Sequence, residues 1–181
     1  MTVPPLPSHF ARLDSVPAGQ RLDLLATPVA HAIAALPDAR VFAIDPDLAD
    51  TAALNEAFDL PGESAANCVL VAGRRGDDER WVACLALATT RVDVNKTVRK
   101  KLDVRKASFA PMDEAVGRSG MEYGGITPVG LPDEWPIWID AAVHAQDWVC
   151  IGAGIRGAKL LVPGASLAGL PHAEVVEGLA A

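Results

Sequence analysis

The sequence has no CxxC pair and no Cys/His cluster at metal-ligand spacing, so neither a zinc site nor any other metal centre or cofactor is expected. Its three cysteines, Cys68, Cys84 and Cys150, each sit inside an apolar, strand-like run and read as buried, reduced thiols. The four histidines, His9, His31, His144 and His172, are scattered, and none is paired with a Ser or Cys motif. No apolar run reaches the roughly 18 residues that a membrane span needs. The start, MTVPPLPSHF, has neither the basic residues nor the apolar stretch of a leader. These absences lead to the expectation of a soluble, cytoplasmic protein. No internal repeat or linker-like stretch interrupts the 181 residues, half of them apolar, so one domain over 1–181 with a substantial core is expected.

Positive charge is scarce overall: the net charge of −7 argues against a general nucleic-acid coat. It is concentrated in one place. Between Arg91 and Lys106 lie seven Lys/Arg against two acids, so this segment carries +5 and the rest of the chain −12. Val94, Val98 and Leu102 recur there at steps of four, predicting a short amphipathic helix with Lys96, Arg99, Lys100 and Lys101 outside its apolar stripe. Such a face is either simply solvated or a contact for a phosphate backbone.

The remaining elements follow from caps and breakers. Thr27-Pro28 reads as an N-cap with proline at the first helical position, followed by Val29, Ile33 and Leu36 on one face. Arg40–Asp45 reads as a strand. Asp50 caps a helix carrying Leu54 and Phe58, ended by Pro61-Gly62. Residues 68–89 form a hairpin turning at RRGDDE. RKASFA is extended, and Pro111 opens a helix with Asp113 and Glu114 in its first turn. PIWID, WVCIGAG and AKLLVP are strands, with a final helix near Gly164. Trp135 and Trp138 are candidates for a contact surface or for core packing. This irregular succession predicts a mixed α/β, α+β-like domain rather than regular βαβ alternation. GAGIRG, Gly152 to Gly157, matches the letters of a dinucleotide loop, but a strand pattern follows it where a helix is required, so that reading is rejected.

The densest cluster of backbone-controlling residues is YGGITPVGLP, Tyr123 to Pro132. Glycine permits positive φ and close approach, and proline stiffens the loop. Successive N–H groups of such a loop can converge on an anion or a developing oxyanion without any side chain; an ordinary turn between strands is the other reading. The stretch KASFAPMDEAVGRSGMEYGGITPVGLP, followed by IWIDAAV and VCIGAGIRGAKLLVP, resembles the YbaK/prolyl-tRNA-synthetase-associated domain family over about residues 27–170. These domains hydrolyse mischarged aminoacyl-tRNA. The resemblance implies a curved, largely antiparallel central sheet flanked by helices, and a free-standing trans-editing deacylase.

It further implies that the loop Gly124, Gly125, Ile126, Thr127 and Pro128 is the catalytic element. Its amides would hold the substrate carbonyl or the attacking water, and a ribose hydroxyl of the tRNA would assist, so no protein nucleophile is needed. Thr127 can add a hydrogen bond. Asn67, Thr27, His31, Gly130, Gly152 and Gly154 are the implied substrate-binding positions, with Lys96, Arg99, Lys100 and Lys101 facing the tRNA. Mischarged aminoacyl-tRNA, and an aminoacyl-tRNA synthetase, are the implied partners. One departure stands out: the family carries a lysine where this chain has Asn67, and no lysine occurs between Met1 and Arg91. An alternative is therefore a catalytically weakened binding module that recognises an aminoacyl-nucleotide or tRNA 3′ end. A third is a hydrolase of small esters or amides.

Overall fold

The computed structural model describes residues 2–181. Nine strands form: β1 (Val16–Pro17), β2 (Arg40–Ala43), β3 (Ala66–Arg75), β4 (Asp78–Leu87), β5 (Lys106–Phe109), β6 (Ile137–Asp140), β7 (Val149–Gly152), β8 (Ala158–Val162) and β9 (Ala173–Val176). They divide between two sheets, ordered β1-β2-β8-β7 and β5-β3-β4-β6-β9. The first is antiparallel throughout. The second is antiparallel across β5, β3 and β4 and parallel from β4 to β6 to β9. A single bridge, Ala65 to Cys150, joins them. The fold is mixed α/β with largely antiparallel pairing.

The long hairpin β3–β4 forms where the sequence placed it, and its turn is tighter than the RRGDDE run: only Gly76, at φ +64°, and Asp77 separate the strands. Both strands are covered on two faces, which is why they read as continuous apolar runs. Leu70 and Leu85 face the main core with Val29, Ile139, Ile151 and Leu160. Val71, Val82 and Cys84 face a second layer of Val94, Val98, Leu102, Trp138 and Leu179. A third cluster gathers Phe10, Phe42, Leu54, Trp148 and Leu161.

Local rules explain most helices. The Asp50 carboxylate accepts from the Ala52 and Ala53 amides at 3.0 and 3.2 Å and starts the helix Thr51–Phe58. That helix stops at Asp59, in left-handed conformation, before Pro61-Gly62 is reached. Thr27 lies one residue inside its helix, Thr27–Ala32, and caps nothing; Ala26 holds the cap position. The helix Met112–Ser119 ends at Gly120, φ +68°. The basic segment begins as a wide turn over Val94–Val98, in which the Val98 amide donates to the Asp93 carbonyl five residues back, and then forms a short helix, Arg99–Lys101. The helix expected near Gly164 is a 3₁₀ turn, Gly164–Gly169, leading into β9. Trp135 and Trp138 are both buried, and Trp135 stacks on Trp81 with centroids 4.9 Å apart, so neither offers a contact surface.

The C-terminal residues stitch down the basic segment. Arg91 and Ala181 exchange two backbone hydrogen bonds, the Asp93 amide donates to the Leu179 carbonyl, and the Ala180 amide donates to Asp140 Oδ2. Leu179, fully buried, fills the layer beneath Val94 and Val98. Leu179→Ala is expected to cost about 2–5 kcal/mol through lost burial and the cavity left behind, read as a fall in the urea midpoint.

Candidate active site

The start of β3, the start of the helix Thr51–Phe58, the glycine-rich loop and the β7–β8 turn enclose a cleft of about 350 Å³. Its walls are Ala49–Thr51, Ala66–Val69, Tyr123, Gly124, Ile126, Gly152, Arg156 and Lys159. Backbone contacts position the loop. The Glu122 amide donates to the Gly154 carbonyl at 2.8 Å, and the Gly154 amide donates back to the Gly125 carbonyl at 2.7 Å. The Arg156 amide donates to Glu122 Oε2 at 2.7 Å. A Cβ on Gly125 would lie 2.6 Å from the Ile155 carbonyl oxygen, and one on Gly152 would meet the Gly125 and Ile126 carbonyls. Both positions are closed to any side chain because two backbones touch there.

This packing sorts the loop's amides. Gly125 N–H closes a turn onto the Glu122 carbonyl at 2.9 Å, and Pro128 has no N–H. Gly124, at φ +85°, and Ile126 line the cleft, and neither amide has a backbone partner among the described residues. Thr127 is fully buried, its hydroxyl has no partner among the described residues, and it does not line the cleft.

Asn67 is exposed at the cleft's edge. Thr51 Oγ1 donates to its Oδ1 at 2.6 Å, which fixes the amide and commits its oxygen. The Nδ2 hydrogens form no bond among the described residues and remain as neutral donors. Two cations that sequence reasoning missed stand opposite. Lys159 is 6% exposed, its Nζ donating to the Ala49 carbonyl at 2.8 Å. Burial pushes its ammonium below the ordinary lysine range. Arg156 donates to the Pro46 carbonyl at 3.0 Å and to the Tyr123 carbonyl at 3.3 Å. The signal for Lys159 was a charged residue inside AKLLV, a strand otherwise wholly apolar.

The first helix does not reach this cleft. His31, Pro128 and Gly130 line a separate cavity of about 300 Å³ with Trp135 and His172. Thr27 lies exposed outside both. Gly130, at φ +82°, and Gly154, at φ +83°, pack against Pro28 and against Ala26 and Val29 respectively, and so seat the helix. Lys96, Arg99, Lys100 and Lys101 are exposed. Arg99 bonds the Asn95 carbonyl at 2.8 Å, and Lys101 pairs with Glu174 at 2.7 Å over the Trp138 ring. The GAGIRG run is the turn between antiparallel β7 and β8.

The cleft contains no activated nucleophile. Burial raises the thiol of Cys68, the cysteine in its wall, far above its ordinary value, and pushes Cys84 and Cys150 up to about 12. The Thr51 hydroxyl is engaged with Asn67. What the arrangement offers is fixed N–H donors and buried positive charge around a space that a carbonyl can enter.

The chain matches the model of the family described as the aminoacyl-tRNA editing domain over residues 45–170. Among solved structures it is similar to a candidate trans-editing enzyme for prolyl tRNA synthetase, at 18% identity and a TM-score of 0.71, covering 84% of this chain and 94% of that one. It is also similar to a protein described only as hypothetical, at 17% identity and a TM-score of 0.70, covering 79% and 91%. At these identities the structural likeness is one of fold.

The buried Lys159 makes a pH signature. Above its ordinary value of 10.5 the side chain is neutral in folded and unfolded chains alike. Below it, the unfolded chain takes up a proton that the folded chain resists, so this group's contribution to stability falls as pH drops from 10.5 through the depressed folded value. The stability of the wild type minus that of Lys159→Met should therefore rise as pH is raised toward 10.5, measured by urea denaturation across alkaline pH. A flat difference would show that the ammonium is not desolvated.

Proposed function

The chain belongs to the aminoacyl-tRNA editing domain family, and on that premise we propose that it is a trans-editing deacylase that hydrolyses the ester of mischarged tRNA in the Asn67–Gly124 cleft. The observation that carries this reading is the pair of amides, Gly124 and Ile126, with no backbone partner among the described residues, in the wall of a cleft that also carries Asn67, Arg156 and Lys159 and whose one carboxylate, Asp50, is engaged in capping the helix Thr51–Phe58. The structural likeness to a protein described as a candidate trans-editing enzyme supports action in trans.

In this reading the ester carbonyl oxygen lies against those two amides, with Asn67 Nδ2 as a further donor. Water attacks the carbonyl carbon, and a ribose hydroxyl of the substrate accepts its proton. The bond to the esterified ribose oxygen then breaks, that oxygen takes up a proton, and free amino acid and tRNA leave. Negative charge builds on the carbonyl oxygen during attack, where each preorganised donor is worth about 3–4 kcal/mol. Arg156 and Lys159 hold the Pro46–Ala49 wall against the loop and add positive potential. Thr51 is a positioning residue that acts through Asn67.

The test is hydrolysis of tRNAs mischarged with alanine, cysteine, serine or proline-like amino acids. No deacylation of any of them at micromolar enzyme would sink the proposal. Asn67→Ala should lower kcat by about 10- to 100-fold, the worth of a hydrogen bond to a charged group. Thr51→Val should give a smaller loss that Thr51→Ser restores.

The uncharged donor at position 67 favours one other reading, a binding module of the same fold. It requires that a non-hydrolysable aminoacyl-adenosine binds while no ester is turned over, and that Asn67→Lys raises hydrolysis.

A further inference from the structure

A second cleft, of about 420 Å³, opens on the other side of Asn67. It lies where the two-sided cover of β3 runs out. Asn67, Val69 and Val71 alternate onto the face that carries the basic segment, but only Val71 is sealed beneath that segment. Val69 and Ala86 are left as part of the lining, with residues 90–95 on one side and Phe109 on the other. Asn67 and Val69 line both clefts, so the second begins where the first ends.

Phe109 is anomalous. It sits on β5, at the edge of its sheet, and is 59% exposed, as exposed as Tyr123 in the first cleft, whereas all four tryptophans are buried. An exposed aromatic ring at the side of an apolar slot is the usual platform for a nucleobase. The charge pattern continues the path: Arg91 and Asn95 line this cleft, and Lys96 and Lys100 beyond it hold no ion pair among the described residues. A strand of nucleic acid leaving the slot would meet cations, in a protein acidic elsewhere.

We propose that this second cleft is the nucleoside subsite: it takes the 3′-terminal base of the tRNA, stacked on Phe109, while the ribose crosses Asn67 and presents its ester to Gly124 and Ile126. The inference rests on the deacylase reading for the identity of its occupant. The two clefts then divide the substrate at the ester bond, with the acyl group on the Gly124 side, the base on the Phe109 side, and the preceding phosphates toward Arg91 and Lys96.

The probe is adenosine 5′-monophosphate, titrated into the full chain and followed by amide chemical shifts and calorimetry. Shifts are expected to concentrate at Val69, Ala86, Val94 and Phe109. Phe109→Ala should weaken AMP binding on the order of 10-fold or more and raise KM for aminoacyl-tRNA rather than lower kcat, and Phe109→Tyr should retain the affinity. AMP shifts confined to other parts of the surface, or an AMP affinity and KM indifferent to Phe109→Ala, would overturn the subsite. The two proposals fail separately. Deacylation with a KM insensitive to Phe109 leaves the activity standing and removes the subsite. AMP binding that depends on Phe109, without any deacylation, keeps the subsite and removes the activity.

Discussion

The contact between two backbones, the 122–126 loop and the 152–156 turn, is the constraint on which the site depends. It is reciprocal: Glu122 N–H reaches the Gly154 carbonyl, and Gly154 N–H reaches the Gly125 carbonyl. It also determines which amides are left. Closing the Glu122–Gly125 turn consumes one donor and proline removes another; of the three left, Thr127 is buried outside the cleft, and Gly124 and Ile126 stand in its wall. The loop is held by hydrogen bonds to a rigid β-hairpin, and such support keeps donors preorganised without reorganisation during reaction.

The same contact links the two sheets functionally. The β7–β8 turn belongs to the four-stranded sheet, while Asn67 lies at the start of β3 in the other. The cleft is therefore an inter-sheet feature, with Lys159 and Arg156 reaching from β8 and its turn to the carbonyls of Ala49 and Pro46. Desolvating an ammonium to hold one carbonyl is costly. At Lys159 that cost falls where the wall of the cleft must not move.

Much of the fold was legible because local chemistry decided it. The β3–β4 hairpin and the Asp50 cap are both settled within a few residues. The glycine loop was legible as a site because so many backbone-controlling residues rarely gather without a reason. The partition of its neighbours was not. His31, Pro128 and Gly130 are near the loop in sequence or in expectation, yet they line another cavity, because Gly130 turns the chain against Pro28 and away from Asn67. Sequence spacing carries no record of which side of a packed loop a residue ends on. β1 and β9 escaped notice for a different reason: they are two and four residues long, and non-local pairing with β2 and β6 makes them strands. The basic stripe was read correctly as amphipathic, but its wide first turn comes from the Asp93 carboxylate taking the Lys96 and Thr97 amides, which periodicity does not reveal.

The close approach at Gly125 has a consequence for how such a protein is interrogated. If the reactive element is an N–H, every residue except proline supplies it equally, and a conventional alanine scan across 124–127 leaves it in place. At Gly125 that scan would instead wedge a methyl group against Ile155, and the loss it recorded would be one of architecture. Only an amide-to-ester exchange in the main chain deletes the donor while keeping every side chain. On the proposed deacylase reading, divergence is channelled likewise: the loop is locked, and an altered preference for the acyl group would come from the walls at Asn67, Cys68 and Tyr123.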